Sequence, residues 1–449
     1  MQLIDRRQFL GAGLAAAALA SSPRAAFTQM AGSGAPFADF RALVCVFLFG
    51  GNDSFNMVVP RSQAEYDVYA NARQNLAVPL DQLLPINPAT TDGAAYGFHP
   101  AMAGMQQLFE QGRLAVVANV GPLIVPATRD QVLNNSVPLP PQLFSHNDQQ
   151  DQWHTLKGND QASTGWAGRV ADLLAPQIQQ QLPTNLSLFG TSLALAGNST
   201  LPFTMGPSGP VPILGLGDTG IFLEQRRVFD ALVDHDYESI YARAFGAVQR
   251  RTVDLAGTIG DAIAQAPPVT TVFPGTPLGA QLGTVARLIA ARAQLQTTRQ
   301  VFFVASGGFD THDNQAVDQP QLLGNISACL SAFNDAMQEL NVAGNVTTFT
   351  QSDFGRTLTS NGDGTDHGWG GVQMVVGDSV LGGDIYGRMP VLEIDGPDDV
   401  SGGRMIPTTS ADQYVATLAR WFGVADAQLA EVAPHIGNFA QQDLGFLPG

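Results

Sequence analysis

Three short stretches of this sequence gather carboxylates, imidazoles and glycines directly behind apolar runs. They are "LFGGNDS" with Asp53, "GGFDTHDNQ" with Asp310, His312 and Asp313, and "SDFGRTLTSNGDGTDHGWGG" with Asp353, Asp366 and His367. Carboxylates and imidazoles that converge on a cleft repel one another or need partners, unless a cation holds them together. A divalent metal is the economical answer. A mixed Asp/His set suits zinc or manganese, and an all-oxygen set suits magnesium or calcium. Such an ion neutralises anionic groups and lowers the pKa of a bound water or hydroxyl. Each piece alone has a plainer reading: an Asp after a strand caps a helix or makes a turn, and Asp-His-Gly is a turn sequence. The recurrence of one kind of loop behind three strands is what points to a site.

The elements that must position these loops follow from apolar patterning. The continuous run Leu43 to Phe49 reads as a strand buried on both faces, as in a parallel sheet. "HPAMAGMQQLFEQGRLAVVANVG" reads as a helix stopped at Gly112, then a strand from Leu114 to Val120. Proline-rich "SVPLPPQLF" leads into "SHNDQQDQWHT", a helix start with Ser145 near the N-cap. Residues 185–225 alternate short apolar runs with Gly and Pro, as an irregular or β-rich insertion does. Further on, "QVFFVAS", "NVTTFTQ" and "VQMVVG" read as strands alternating with helices around Leu282 to Gln296, Leu322 to Leu340 and within "TSADQYVATLARWFG". The pattern predicts an α/β fold: a doubly wound, mostly parallel sheet with helices on both faces. In such sheets ligands bind at the carboxyl ends of the strands, which is where the three loops fall.

Composition narrows the function class. The chain has 449 residues, 45% of them hydrophobic and only 14% charged, with a formal net charge of -17. That balance argues against nucleic acid or an anionic membrane as the main partner, since both need a basic footprint. It leaves room for an anionic small-molecule or glycan ester substrate, which needs only local positive charge or a metal. "DRRQFL" followed by the short apolar run Gly11 to Ala20 reads as a twin-arginine export signal within residues 1–30, cleaved between Ala20 and Met30. The expectations are the twin-arginine export machinery as a partner, a periplasmic or secreted location, and a mature chain of 31–449 forming a single α/β domain with no membrane span. Cys45 and Cys329 lie in apolar stretches and read as buried, unpaired thiols.

The motifs "LFGGNDSFNMVVP", "FHPAM", "SHNDQQDQW", "GFDTHDNQ", "SDFGRT", "GTDHGWGG" and "PTTSADQYVATLARWFG" together resemble an uncharacterised family of twin-arginine-exported bacterial proteins, domain of unknown function 1501. That family looks like a distant branch of the alkaline phosphatase and sulfatase superfamily. The resemblance implies an alkaline-phosphatase-like fold and a periplasmic metal-dependent hydrolase of phosphate or sulfate esters. It implies Asp53, Asp310, His312, Asp353 and His367 as ligands of one or two divalent ions: zinc or manganese at the Asp/His site, magnesium or calcium at the all-oxygen site. It puts the nucleophile at Ser145, where a helix N-terminus favours negative charge. Arg356 is expected to clamp an anionic oxygen, or else to pair with a nearby carboxylate. The sequence departs from the superfamily at Phe354, which stands where a histidine is expected, and no Cys-centred formylglycine signature occurs. His146 and Asp148 read as a solvated helix face or as groups that bind substrate or orient water. The rival reading is a non-catalytic, metal-containing periplasmic scaffold or glycan-binding protein.

Overall fold

The structure is a computed structural model that describes residues 35–90, 93–158, 162–210 and 215–449; the export signal expected within residues 1–30 lies outside the described residues. Its frame is a nine-stranded sheet. Along the main path the strands are ordered β11 (Asp384–Tyr386), β5 (Leu114–Gly121), β10 (Gly371–Val376), β9 (Val346–Ser352), β1 (Arg41–Leu48), β8 (Arg299–Ser306), β6 (Asn185–Ser187) and β7 (Phe203–Thr204), and β12 (Thr409–Ser410) also pairs with β5. A second, three-stranded sheet holds β2 (Val58–Pro60), β4 (Tyr96–Phe98) and β3 (Leu84–Ile86). In the large sheet every pairing is parallel except those of β10, which runs against β5 and β9. The mostly parallel α/β sheet read from the sequence is therefore present, with one antiparallel strand in its middle. The segment read as an insertion supplies β6 and β7, which extend the edge of this same sheet beside β8.

Strand β1 shows why its sequence is an unbroken apolar run. Successive side chains of a strand point to opposite faces. Ala42, Val44, Val46 and Leu48 enter one core, while Leu43, Cys45 and Phe47 enter the other. Helices Ala103–Glu110, Pro277–Ala290 and Gln315–Glu339 cover the first face. Helices Trp166–Leu174 and Ala411–Phe422, with Trp153, cover the second. Cys45 and Cys329 are both buried and unpaired. Among the described residues no helix is long and apolar enough to cross a membrane.

The register of the sheet brings the three loops level. Leu48 of β1 lies opposite Ser306 of β8 on one side and Ser352 of β9 on the other. The loops that follow therefore leave the sheet at one rim. They are closely packed: a Cβ on Gly50 would come within 2.3 Å of the Asp310 backbone nitrogen, and Gly50 has φ +116. The antiparallel strand matters here. Because β10 runs back from the rim, the segment 353–370 leaves and re-enters the sheet at the same edge, which keeps His367 beside the other loops.

Candidate metal centre

Four side chains point at one another on this rim. Asp310 Oδ1 lies 3.1 Å from His312 Nε2, 3.4 Å from His146 Nε2 and 3.6 Å from His367 Nε2. His312 Nε2 and His367 Nε2 are 2.9 Å apart. Asp310 and His312 come from the loop after β8, His367 from the segment before β10, and His146 from the first turn of helix His146–Thr155. The expected convergence of Asp310, His312 and His367 is thus present as geometry, and His146 joins them.

Each imidazole is held from behind through Nδ1. His367 Nδ1 donates to the Phe144 carbonyl at 2.8 Å, His146 Nδ1 faces Asp353 Oδ2 at 2.7 Å, and His312 Nδ1 faces Asp366 Oδ1 at 3.1 Å. An Nδ1–H given to an oxygen leaves the Nε2 lone pair free, the arrangement typical of metal-binding histidines. Three such lone pairs face one carboxylate oxygen, and the buried Nε2 of His146 has no hydrogen-bond partner. With both Nδ1 atoms protonated, the His312–His367 contact sets lone pair against lone pair unless a proton or a cation lies between them. Bonds of about 2.0–2.1 Å to one tetrahedral ion set neighbouring ligand atoms roughly 3.3 Å apart. The Asp310–His146 and Asp310–His367 separations of 3.4 and 3.6 Å lie near that value, and the ligand atoms of His146, Asp310 and His367 all lie within 4.8 Å of one another, so these three fit a single divalent ion, with His312 beside them.

Electrostatics act in the same sense. Burial alone would raise the Asp310 carboxyl, but the Arg356 guanidinium, with His146 and His312, holds it below the ordinary carboxylate range. Burial lowers His367, outweighing the Phe144 carbonyl that favours its charged form; neighbouring His146, Arg356 and His312 push the same way as burial. An ionised carboxylate beside a neutral imidazole is the pair of protonation states that a metal requires. Burial raises Asp353, against the opposing bonds from Gln150, His146 and the Gly50 amide.

The remaining expected site residues are placed differently. Asp353 Oδ2 accepts from Gly50 N–H at 3.1 Å and Gln150 Nε2 at 2.8 Å while it holds His146, and its Oδ1 is buried without a partner. Asp53 is buried; its Oδ2 is bonded by Arg73 and Gln315, and its Oδ1 has no hydrogen-bond partner. Arg73, from helix Gln63–Arg73, also donates to the Thr357 carbonyl at 2.9 Å, which ties the Asp53 loop to the segment before β10. Arg356, expected as a substrate clamp, is fully buried and donates to Asp310, the Gly50 carbonyl and Thr365. Its place is behind Asp310, the pairing given above as its alternative. Ser145 is the N-cap residue of its helix, yet its hydroxyl makes no cap and donates to Asp148 Oδ2 at 2.6 Å.

His146 is the residue that sequence reasoning undervalued. "HNDQQDQWHT" is so polar that it suggests a solvated face. Instead Gln149, Gln152 and Trp153 are buried, and Gln150 and His146 reach Asp353. The available signal was the density of uncharged hydrogen-bonding groups in a chain poor in charge, next to a proline-rich approach. Phe354 then makes sense as packing. Its ring centroid lies 4.8 Å from that of His146 and 4.9 Å from that of His367, so it supports two imidazoles without competing for their protons.

A cavity of about 580 Å³ lined by Lys157, Arg169, Asp172 and His435 lies apart from this cluster. The candidate centre is an open rim, with the Asp310 side chain 47% and the His312 side chain 42% exposed.

Residues 249–433 match the model of a protein family described as "Protein of unknown function (DUF1501)". No curated protein matches the chain. Among solved structures, the chain is similar to the lipoteichoic acid synthase LtaP from Listeria monocytogenes, with 8% identity over 91% of this chain and 74% of that one and a TM-score of 0.34. It is similar to Ps i-CgsB, with 8% identity over 88% of this chain and 72% of that one and a TM-score of 0.34. BT1596, a 2-O GAG sulfatase, aligns at 10% identity over 86% and 71%, with a TM-score of 0.28.

Proposed function

We propose that this chain, whose residues 249–433 match the DUF1501 family model, is an exported, periplasmic metal-dependent hydrolase of phosphate or sulfate esters, with His146, Asp310 and His367 holding one divalent ion and His312 beside it. The observation that carries the reading is the set of three imidazoles, each with Nδ1 committed to an oxygen and Nε2 turned toward Asp310. A nitrogen-rich set with one carboxylate favours zinc or manganese. When bound, the ion supplies Lewis acidity toward an anionic oxygen of a small-molecule or glycan ester. For a second ion, magnesium or calcium, Asp53 and Asp353 each offer only Oδ1, which is buried without a partner, because Arg73 and Gln315 hold Asp53 Oδ2 and His146 and Gln150 hold Asp353 Oδ2.

The chain's own residues divide the remaining work. Arg356 keeps Asp310 ionised and fixes its oxygen. Asp353, Asp366 and the Phe144 carbonyl orient the imidazoles. Ser145 is the nucleophile candidate: Asp148 Oδ2, at 2.6 Å, would take the hydroxyl proton as the serine oxygen bonds to phosphorus or sulfur and the bond to the ester oxygen breaks; the leaving alkoxide takes a proton from water, and a second water then releases phosphate or sulfate and restores the serine. The free amides at the start of helix His146–Thr155 favour the negative charge that develops there.

A second reading, a metal-holding scaffold that binds a periplasmic partner or glycan without turnover, draws on one observation. The Ser145 hydroxyl is already satisfied by a local bond. Metal analysis of protein folded in its native host, followed by a panel of phosphate and sulfate esters, separates the two. Bound metal with turnover that Ser145→Ala abolishes supports the serine hydrolase. Bound metal with turnover that survives Ser145→Ala moves the attack to water. Metal without turnover on any ester leaves the scaffold, and wild-type protein that retains no metal removes both readings.

A further inference from the structure

An ester group held by an ion through one oxygen keeps anionic oxygens that a guanidinium can take. Arg356 cannot take them: it is fully buried and spent on Asp310, the Gly50 carbonyl and Thr365. Arg404 stands differently. It is half-buried, and its Nε donates at 3.2 Å to the carbonyl of His367, a residue of the centre itself. Its Nη1 donates at 3.2 Å to the Ser401 carbonyl. Its Nη2 has no partner among the described residues and reaches solvent. On a planar guanidinium Nη2 shares an edge with Nε–H, so the open donor lies on the edge turned toward His367.

Two further features mark this arginine. The guanidinium lies over the Phe144 ring, 5.0 Å from its centroid, and the Phe144 carbonyl is the group that accepts from His367 Nδ1. Phe144 has φ +71, a conformation costly for a bulky side chain. One strained residue, next to Ser145, thus fixes both the imidazole and the guanidinium. The second feature is a missing counter-ion. Acids are close by in sequence, but Asp395 pairs with Arg129, Asp398 with Arg388, and Asp399 accepts from the Asp395 and Gly403 amides. Among the described residues no carboxylate pairs with Arg404, which leaves its charge for an anion from outside.

We propose, on the metal reading given above, that Arg404 is the substrate-binding residue beside this centre, donating from Nη2 to an anionic oxygen of the ester, and that the ester carries a single negative charge. The charge preference follows from what else lines the rim. The loops that hold the cluster also carry Asp313, Asp363 and Asp366, all exposed, and Asp148 lies against Ser145. Against these acids stand one ion and one open guanidinium, since Arg356 is spent on Asp310. A phosphate monoester brings two charges to a rim that is already acidic. A sulfate ester or a phosphodiester brings one, and meets less like-charge repulsion.

Calorimetric titration of the full chain, first with zinc and then with non-hydrolysable probes, tests this. The probes are benzenesulfonate and methyl phenylphosphonate, each with one charge, and phenylphosphonate, which carries two at mildly alkaline pH. In Arg404→Gln zinc affinity should stay within about twofold of wild type, while both single-charge probes bind roughly 10- to 100-fold more weakly, the loss of one charge-assisted hydrogen bond. Arg404→Lys should recover part of that loss, because it keeps the charge without the planar guanidinium. Wild-type protein should bind phenylphosphonate more weakly than its methyl ester, and the tighter of the two single-charge probes identifies the ester as sulfate or phosphodiester. Probe affinity unchanged in Arg404→Gln with zinc bound overturns the role of Arg404, as does a wild type that holds zinc and no probe. Tighter binding of the dianion overturns the charge preference. A wild type that takes up no zinc removes the metal reading and the assignment of Arg404 together.

Discussion

Asp353 Oδ2 lies 2.7 Å from His146 Nδ1, and the two residues stand 207 positions apart in the chain. The acid read as a ligand holds this ring from behind through Oδ2. On the proposed reading, with His146 as a ligand, Asp353 positions it by fixing the ring's tautomer. Asp353→Asn should therefore weaken metal binding about 10–100-fold without abolishing it. His146→Ala and Asp310→Ala should each remove most bound metal at stoichiometric loading. Chelator competition on the three variants checks the order; equal retention by all of them would remove His146 and Asp310 from the centre.

Asp53 and Arg73 make the opposite test. Both side chains are buried, and Arg73 is the partner that allows Asp53 to stay there. Removing one partner of a buried pair costs about 3–5 kcal/mol, because the other charge is left uncompensated. Arg73→Ala should lower the unfolding free energy by that order while metal content under native conditions stays near wild type. If Asp53→Ala instead strips the metal and leaves stability alone, Asp53 is a ligand after all.

Gly50 permits the loops after β1 and β8 to touch. Its φ is +116, and an added Cβ would collide with the Asp310 backbone. Gly50→Ala should displace Asp310 and lower metal affinity at least tenfold, and it should cost stability as well, since the obstruction is backbone and cannot swing away. Calorimetric titration with zinc and with manganese reads the first effect, and a denaturant curve reads the second.

Acid should weaken the fold through histidines away from the centre. Burial pushes His154 down to about 4 from 6.5, in an apolar setting between Phe47 and Phe303. Its folded value is depressed, so the unfolded chain takes up a proton that the folded chain refuses. Stability is full above pH 6.5 and falls as pH drops toward 4, by roughly 3 kcal/mol for this residue. Burial likewise pushes His99 down to about 4, against the opposing charge of Asp53, and adds to the same slope. In His154→Phe the loss between pH 6.5 and 4.5, followed by urea unfolding, should shrink by a measurable share; an unchanged slope would place the acid sensitivity elsewhere.

The sequence by itself determined the frame and most of the rim. A strand buried on both faces has to be an unbroken apolar run, so β1, β8 and β9 were legible, and so were the Asp/His loops behind them. Asp310, His312 and His367 followed from that, because strand ends in a parallel sheet share an edge. What the tertiary structure decided was partnership. Local patterning does not say that β10 runs backward and returns His367 to the rim, that Arg73 meets Asp53, or that the polar helix after Ser145 turns His146 inward. Those outcomes depend on which distant segments pack together, and a carboxylate or an imidazole carries no local mark of whether its counter-charge will be a metal, an arginine or a neighbouring ring.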